Sequence, residues 1–487
     1  ATNRQAASIE GAGAGAISMR VMKFGGTSVG SGDAIRQVVS ILSAAHKPDD
    51  PVIAVVSAMS GITNLLLEAA NDAAQGRLIE TSDVRHRLLD RHLVAAAELI
   101  RDAGLRQEIA TSMAALTDQC LRLIESVQVL GDLSPRVTDW ISSFGERMSS
   151  RLVAGVLRDQ GTPAEAVDAD QVIITDGVFG GASPLFDQTR EAAAARLRPL
   201  LEQGVLPVVT GFFGADVNGV TTTLGRGGSD FSAAIIGSAL DADEIIIWTD
   251  VNGVMTANPK LVPEARTIPA VTFAEATEMA YFGANVIHPR TMQLPAERGI
   301  PIWIRNTFEP EHPGTRIGPE PVENGVVKAI TAIPGLSAIT VEGAGLLTVA
   351  GVTARVFTAV AGAGVNVFMI SQASSQNSLS FVVRSADAAT ALRVLEAEFE
   401  LDLLRARLLR VWEDPDIAIV AVVGAGMRGT PGVAGRVFQT LGAEGINIVA
   451  IAQGSSELNI SCAIAASEVA RAVPALHRAF GLGEQPS

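Results

Sequence analysis

The chain has 487 residues, long for a single domain, so two to four folding units are expected. Hydrophobic residues make up 48% and charged residues 18%, with 47 glycines and 4% aromatics; this suits α/β layers built from Val, Ile and Ala and joined by Gly-rich loops. A net charge of −15 excludes nucleic acid and anionic membrane as partners, which need a basic face, and leaves an anionic substrate to a few placed Lys and Arg residues.

The first eighteen residues, with Gly-Ala alternation from Gly11 to Ala16, lack the apolar stretch of a signal peptide. A disordered leader over 1–18 is expected, with folding starting near Met19. No uncharged apolar run is long enough to span a membrane. Two distant cysteines, Cys120 and Cys462, predict no disulfide framework, two small core residues and a reducing cytoplasm.

From Met19 to about Thr307, short apolar runs alternate with helical patterns. Strands are expected at Arg20–Phe24, Val52–Ser57, Val205–Thr210 and Glu244–Thr249. Helices are expected at Asp33–Ala45, Ile62–Ala74, Val84–Asp102, Thr138–Gln160 and Ser229–Leu240. Strand, glycine loop, helix recurs, which predicts an αβα sandwich with a mainly parallel sheet over 19–308. Pro310, Pro313, Pro319 and Pro321 mark a linker over 309–325.

The remaining 326–487 contain a repeat. Gly351-Val-Thr-Ala-Arg-Val-Phe, Ala363-Gly-Val-Asn-Val and Ile370-Ser-Gln-Ala-Ser-Ser return 81 residues later as Gly432-Val-Ala-Gly-Arg-Val-Phe, Glu444-Gly-Ile-Asn-Ile and Ile451-Ala-Gln-Gly-Ser-Ser. Two α+β modules are expected. They serve either as a dimerisation unit or as a ligand sensor. For a sensor, Val365, Asn366, Gln372, Ile446, Asn447 and Gln453 are the effector-binding candidates, with paired amides after each glycine turn.

Four segments could carry chemistry. Lys23-Phe-Gly-Gly-Thr-Ser-Val29 ends the opening strand; its glycines let backbone approach an anion, and Lys23 adds charge, although a lone Gly-Gly turn is more often structural. Thr222-Thr-Leu-Gly-Arg-Gly-Gly-Ser-Asp-Phe-Ser232 is a second glycine loop entering a helix; Arg226 offers a fork for a carboxylate, while Ser229 or Asp230 could simply cap the helix. Trp248-Thr-Asp-Val-Asn-Gly-Val-Met-Thr-Ala-Asn-Pro-Lys260 follows a buried strand, where α/β sheets bind ligands, though Val-Asn-Gly-Val is also good turn chemistry. In Phe144-Gly-Glu-Arg-Met-Ser-Ser-Arg151 a carboxylate sits in an apolar helix, and either Arg147 or a ligand ammonium could pair with it. His288, before Pro289, is read as a packed turn residue. No metal-ligand spacing occurs, so any metal should be Mg²⁺ carried by nucleotide phosphates.

Taken together, these segments resemble the aspartate kinases of the amino acid kinase superfamily. The resemblance runs from about Arg20 to about Ala470. It is carried by Lys23-Phe-Gly-Gly-Thr-Ser-Val, Ser57-Ala-Met-Ser-Gly-Ile-Thr-Asn, Ser143-Phe-Gly-Glu-Arg, Leu224-Gly-Arg-Gly-Gly-Ser-Asp, Trp248-Thr-Asp-Val, Tyr281-Phe-Gly-Ala and a terminal pair of ACT modules. It implies transfer of the ATP γ-phosphate to the β-carboxylate of L-aspartate, the first step towards lysine, threonine and methionine. Lys23 and Asp230 would be catalytic. Ser57, Thr63, Glu146, Arg226 and Ser229 would bind aspartate, with Arg226 on the α-carboxylate and Glu146 on the ammonium. Phe24, Gly25, Gly26, Thr249, Asp250, Met255, Lys260 and Asn285 would hold ATP and its Mg²⁺.

Three positions depart from the family pattern: Met255 for Tyr, Asn258 for Asp and Asn285 for Lys. The last removes a phosphate contact, which Arg290 would compensate; a weak or silent regulatory homologue is the alternative. The ACT pair is similar to that of threonine-sensitive bifunctional aspartate kinase–homoserine dehydrogenases, which implies threonine as effector ahead of lysine. It also implies a homo-oligomer joined through ACT modules, and a first module (about 337–411) inserted in a second (about 326–336 plus 412–475).

Overall fold

The computed structural model describes residues 19–77, 81–283, 287–320, 325–343, 351–372, 378–404 and 410–483. Two compact units emerge: Ala1–Val251 with Gln293–His312, and Asn252–Met292 with Pro313–Ser487. The stretch 252–292, which the sequence reading places in the catalytic domain, lies in the second unit.

In the first unit six strands form a parallel array in the order Ala164–Val167, Leu206–Thr210, Val52–Val56, Arg20–Phe24, Glu244–Thr249, Ile302–Asn306. Val52–Val56 is buried at every position, as a parallel strand covered on both faces requires. Gly32–Ala45 starts where the Ser31 hydroxyl accepts from the Ala34 N–H. Its buried stripe of Ile35, Val38, Val39 and Leu42 joins Met22, Phe24 and Leu66 in one core. Ile62–Ala74 and Gly228–Ala239 lie close to their expected ranges.

One helical expectation needs correction, and one helix was not expected. Thr138–Gln160 is not one helix: Pro135–Ser142 and Phe144–Asp159 are separated at Ser143, whose N–H and hydroxyl both turn back to the Trp140 carbonyl. The Ala103–Leu130 helix is absent from the expectations above. It starts at an Asp102 cap, ends at left-handed Gly131, and buries Ile109, Met113, Cys120, Ile124 and Val127 at helical spacing.

In the second unit a six-stranded sheet runs in the order Met369–Gln372, Ser378–Arg384, Ala329–Glu342, Arg410–Val423, Asn459–Ala465, Ala450–Ala452. The two central strands pair antiparallel from Ala329↔Val423 to Glu342↔Arg410, so one half of each serves each module. The repeat is expressed in the cores. Val352, Val356 and Val360 pack under the first module, and Val433, Val437 and Leu441 under the second, each pair 81 positions apart. Cys120 and Cys462 are both free and buried.

The 270–281 segment is tied to this sheet by a buried ion pair. Lys328 Nζ lies 3.0 Å from Glu275 Oε2, and the side chains are 3% and 0% exposed. Glu275 closes a capping box with Thr272 and also accepts from the Ala425 N–H at 2.7 Å. Lys328 donates to the Ala270 carbonyl at 3.2 Å. Both charges are fully engaged, so removing one strands the other in a dry site. Lys328→Met is expected to destabilise this unit by about 3–5 kcal/mol. Urea denaturation followed by Trp fluorescence tests this, and a loss below about 1 kcal/mol would show that the pair contributes no more than a surface bridge.

Candidate active site

The opening strand places Lys23 one residue before its end, in register with Val55 and Ile247 on its neighbours, with the side chain 10% exposed. The turn Leu224–Gly227 holds Gly225 and Gly227 at φ 77° and 72°, left-handed values that favour glycine, and so delivers Arg226 and then the helix Gly228–Ala239. Asp230, in the first turn of that helix, meets Lys23 at 2.5 Å (Nζ to Oδ1). Lys23, Ser57, Thr63, Glu146, Arg226, Ser229 and Asp230 line one cleft of about 570 Å³. The two strand-end turns therefore share a cavity, and every residue expected at the catalytic and aspartate positions faces it.

Glu146 decides between the two readings of its helix. Gly145 lets that helix approach the Ser57–Gly61 turn; a Cβ there would stand 2.7 Å from the Ala58 Cβ. Glu146 Oε1 accepts from the Ala58 N–H at 3.1 Å. Its Oε2 is buried and has no partner among the described residues. Arg147 points elsewhere, to Asp168 at 2.7 Å and Asp170 at 2.6 Å, with its guanidinium over the Phe213 ring. Burial pushes the Glu146 carboxyl up to about 8, opposed by the Ala58 hydrogen bond. Glu146 thus borders the cleft with an open buried oxygen, and Arg147, engaged by Asp168 and Asp170, forms no internal pair with it.

The nucleotide set is more scattered. Phe24 is wholly buried and stacks on Trp248 at 6.1 Å, so its side chain belongs to the core. The Gly25 N–H donates to the Trp248 carbonyl at 3.2 Å and is not available to a phosphate, whereas Gly26 lines the cleft. Thr249 ends a first-unit strand and Asp250 follows it, the Thr249 hydroxyl donating to Asp250 at 3.2 Å. Met255 and Lys260 lie in the second unit: the Met255 sulfur accepts from the Thr267 hydroxyl at 3.6 Å, and Lys260 is exposed, its N–H on the Asn258 side chain at 3.0 Å. Asn285 lies outside the described residues. His288 immediately precedes the helix Pro289–Arg298, and its ring accepts from the Arg290 N–H at 3.3 Å.

Sequence reasoning missed Asn64, Gly180, Phe212 and Thr223, which also line the cleft. Phe212 is held at φ 75°, a strained value for an aromatic residue, and its N–H donates to the Ser232 hydroxyl at 3.0 Å. No local pattern marks it. Among the effector candidates, the Val365 and Ile446 side chains pack into the two module cores, while Asn366, Gln372, Asn447 and Gln453 are exposed at equivalent positions.

The amino acid kinase family matches residues 18–306, and the ACT domain matches residues 339–399 and 420–480. The aspartokinase of Saccharomyces cerevisiae is 32% identical over 493 residues, which cover 94% of this chain and 92% of that protein. The chain belongs to the aspartokinase family. A bifunctional aspartokinase/homoserine dehydrogenase 1 of Zea mays is 36% identical over 95% of this chain, which spans 50% of that relative's length. Among solved structures, Escherichia coli aspartokinase III in complex with aspartate and ADP matches with a TM-score of 0.77 and 31% identity, covering 95% of this chain and 100% of the other. The same enzyme in complex with lysine and aspartate matches at 0.76 and 30%, covering 95% and 99%. The fold of this family member is thus an amino acid kinase sheet followed by ACT modules. No helix among its described residues is long and apolar enough to cross a membrane.

Proposed function

We propose that this chain transfers the γ-phosphoryl group of ATP to the β-carboxylate of L-aspartate, forming 4-phospho-L-aspartate, the first step towards lysine, threonine and methionine. The carrying observation is the open Glu146 oxygen in the same cleft as Arg226 and the Lys23–Asp230 pair. An amino acid with two acid groups matches this charge pattern. Its ammonium goes to Glu146, its α-carboxylate to Arg226, and its β-carboxylate is left facing Lys23. Ser57, Thr63 and Ser229 offer hydroxyls around it.

The acceptor is already an anion at neutral pH, so no strong base is required. Catalysis is positioning plus charge neutralisation. Asp230 fixes the Lys23 ammonium, which offsets charge on the transferring group. The phosphates approach over Gly26, and Mg²⁺ arrives with them. Thr249, Asp250, Met255, Lys260 and Asn285 are assigned to the nucleotide, with Arg290 as the compensating cation for the missing Lys. Escherichia coli aspartokinase III in complex with aspartate and ADP supports this assignment of substrates. ATP-dependent hydroxamate formation from aspartate and hydroxylamine tests it. Turnover of another acceptor but not of aspartate rejects it.

Residues 326–487 are assigned to regulation and to assembly of a homo-oligomer through the ACT modules. Threonine is the preferred effector, on the similarity of Gln372 and Gln453 with their Ser-rich turns to the threonine-sensitive branch; lysine, bound by Escherichia coli aspartokinase III, is the competitor. Gln453→Ala is expected to raise the threonine concentration for half-inhibition by roughly tenfold, the loss of about one hydrogen bond to a charged group, with uninhibited turnover unchanged. Inhibition assays with threonine and lysine, separately and together, decide it; unchanged sensitivity would place the effector elsewhere.

A further inference from the structure

A second carboxylate is buried beside the cleft and is not explained by substrate contact. Asp139, in the helix Pro135–Ser142, is 3% exposed. Its Oδ2 accepts from the Gly180 N–H at 2.9 Å and from the Thr223 N–H at 2.8 Å. Its Oδ1 accepts from the Thr223 hydroxyl at 2.8 Å. Gly180 and Thr223 both line the cleft, and they come from different segments. Gly180 belongs to the loop 176–183, which Asp176 closes by accepting from the Val178 and Ser183 N–H groups. Thr223 ends the strand Thr221–Thr223 and runs directly into the turn that carries Arg226. The two segments touch: the Ala182 N–H donates to the Thr223 carbonyl at 2.9 Å, and a Cβ on Gly225 would stand 3.1 Å from the Gly180 carbonyl oxygen.

A carboxylate taking three hydrogen bonds from two segments is a clamp that holds them together. We infer that Asp139 is a positioning residue for the amino-acid α-carboxylate: it locks the root of the Arg226 turn to the 176–183 loop and so fixes the guanidinium. The inference rests on the reading of Arg226 as the α-carboxylate ligand. Without Asp139, the buried Thr223 N–H and the Gly180 N–H lose their acceptor and the turn loosens. Lys23 and Gly26 stand on a separate strand and its turn, so nucleotide use is spared.

Asp139→Ala is expected to raise KM for aspartate by roughly tenfold to a hundredfold, the scale of displacing a binding group by about an ångström. KM for ATP stays within about twofold. Asp139→Asn keeps one acceptor oxygen in place and recovers most of the loss. Hydrogen exchange at the Gly180 and Thr223 amides, measured without ligand, accelerates in Asp139→Ala and is closer to wild type in Asp139→Asn. Equal rises in both KM values, or an aspartate KM within about twofold of wild type, would overturn the inference. Should the Ala variant fail to fold, Asp139→Asn and Thr223→Val carry the same comparison, with smaller aspartate-selective rises expected in each. A wild-type protein that makes no aspartyl hydroxamate sinks the kinase reading instead. The Asp139 clamp is then judged by exchange alone, where unchanged amide rates overturn it.

Discussion

Lys23→Met is expected to lower kcat by about 10²–10³-fold, the cost of removing one preorganised charge from a phosphoryl-transfer site. Lys23 has the geometry for this role. It stands one residue from the end of a central parallel strand, nearly buried, with its ammonium 2.5 Å from Asp230. The methionine chain fills similar space, so packing of the strand survives while the charge does not. In the proposed function aspartate is held by Arg226 and Glu146, which the substitution leaves in place, so KM for aspartate should stay within about threefold. Steady-state kinetics separates the two parameters. A variant that keeps kcat but loses aspartate affinity would assign Lys23 to the acceptor rather than to the transferring group.

Glu146→Gln should raise KM for aspartate by about 10²-fold, since a buried charge-paired contact is replaced by a neutral one. The pH dependence is the sharper signature. With burial holding its carboxyl at about 8, Glu146 is protonated in the free protein at neutral pH. Binding an ammonium requires the ionised form, so a proton leaves as aspartate binds. KM for aspartate in the wild type should therefore fall as pH rises towards 8, by up to about tenfold per pH unit, and level off above it. The Gln variant should show no such slope.

Stability moves in the opposite direction. The unfolded chain loses the Glu146 proton near its ordinary value of 4.5, whereas the folded protein keeps it to about 8. Between these values the native state holds more protons, so the unliganded wild type loses stability with rising pH, at most about 1.4 kcal/mol per unit from this group. Glu146→Gln removes that slope and should be more stable than wild type near pH 8 without ligand. Urea unfolding at pH 5.5, 7 and 8 checks it. Parallel pH dependences in the two proteins would mean that Glu146 is already paired in the free protein.

Much of this site could be read from sequence because its parts are local. The Lys23 turn, the Arg226 turn and the Glu146 helix are each contiguous, and each places its chemistry by short-range rules. Glycine frees the backbone at a strand end, and the next helix begins where that loop ends. The repeat was equally readable, since Val356 and Val437 or Val360 and Leu441 must fill matching positions in two cores. Even the Glu146–Arg147 pair could have been discounted, because successive helix residues do not face one another.

The chain order of residue types was enough to determine the fold class, most of the alternation of strands and helices, and a set of charged groups that the structure brings to one cleft. Packing alone decided that Arg147 turns to Asp168 and Asp170, that the Gly25 N–H is spent on Trp248, that Asp139 holds Gly180 to Thr223, and that 252–292 groups with 313–487. The reason is that sequence spells out each donor and acceptor, but burial fixes which of them meet. Their partners lie tens to hundreds of residues away, and a buried polar atom takes whichever complement the closed chain brings within about 3 Å.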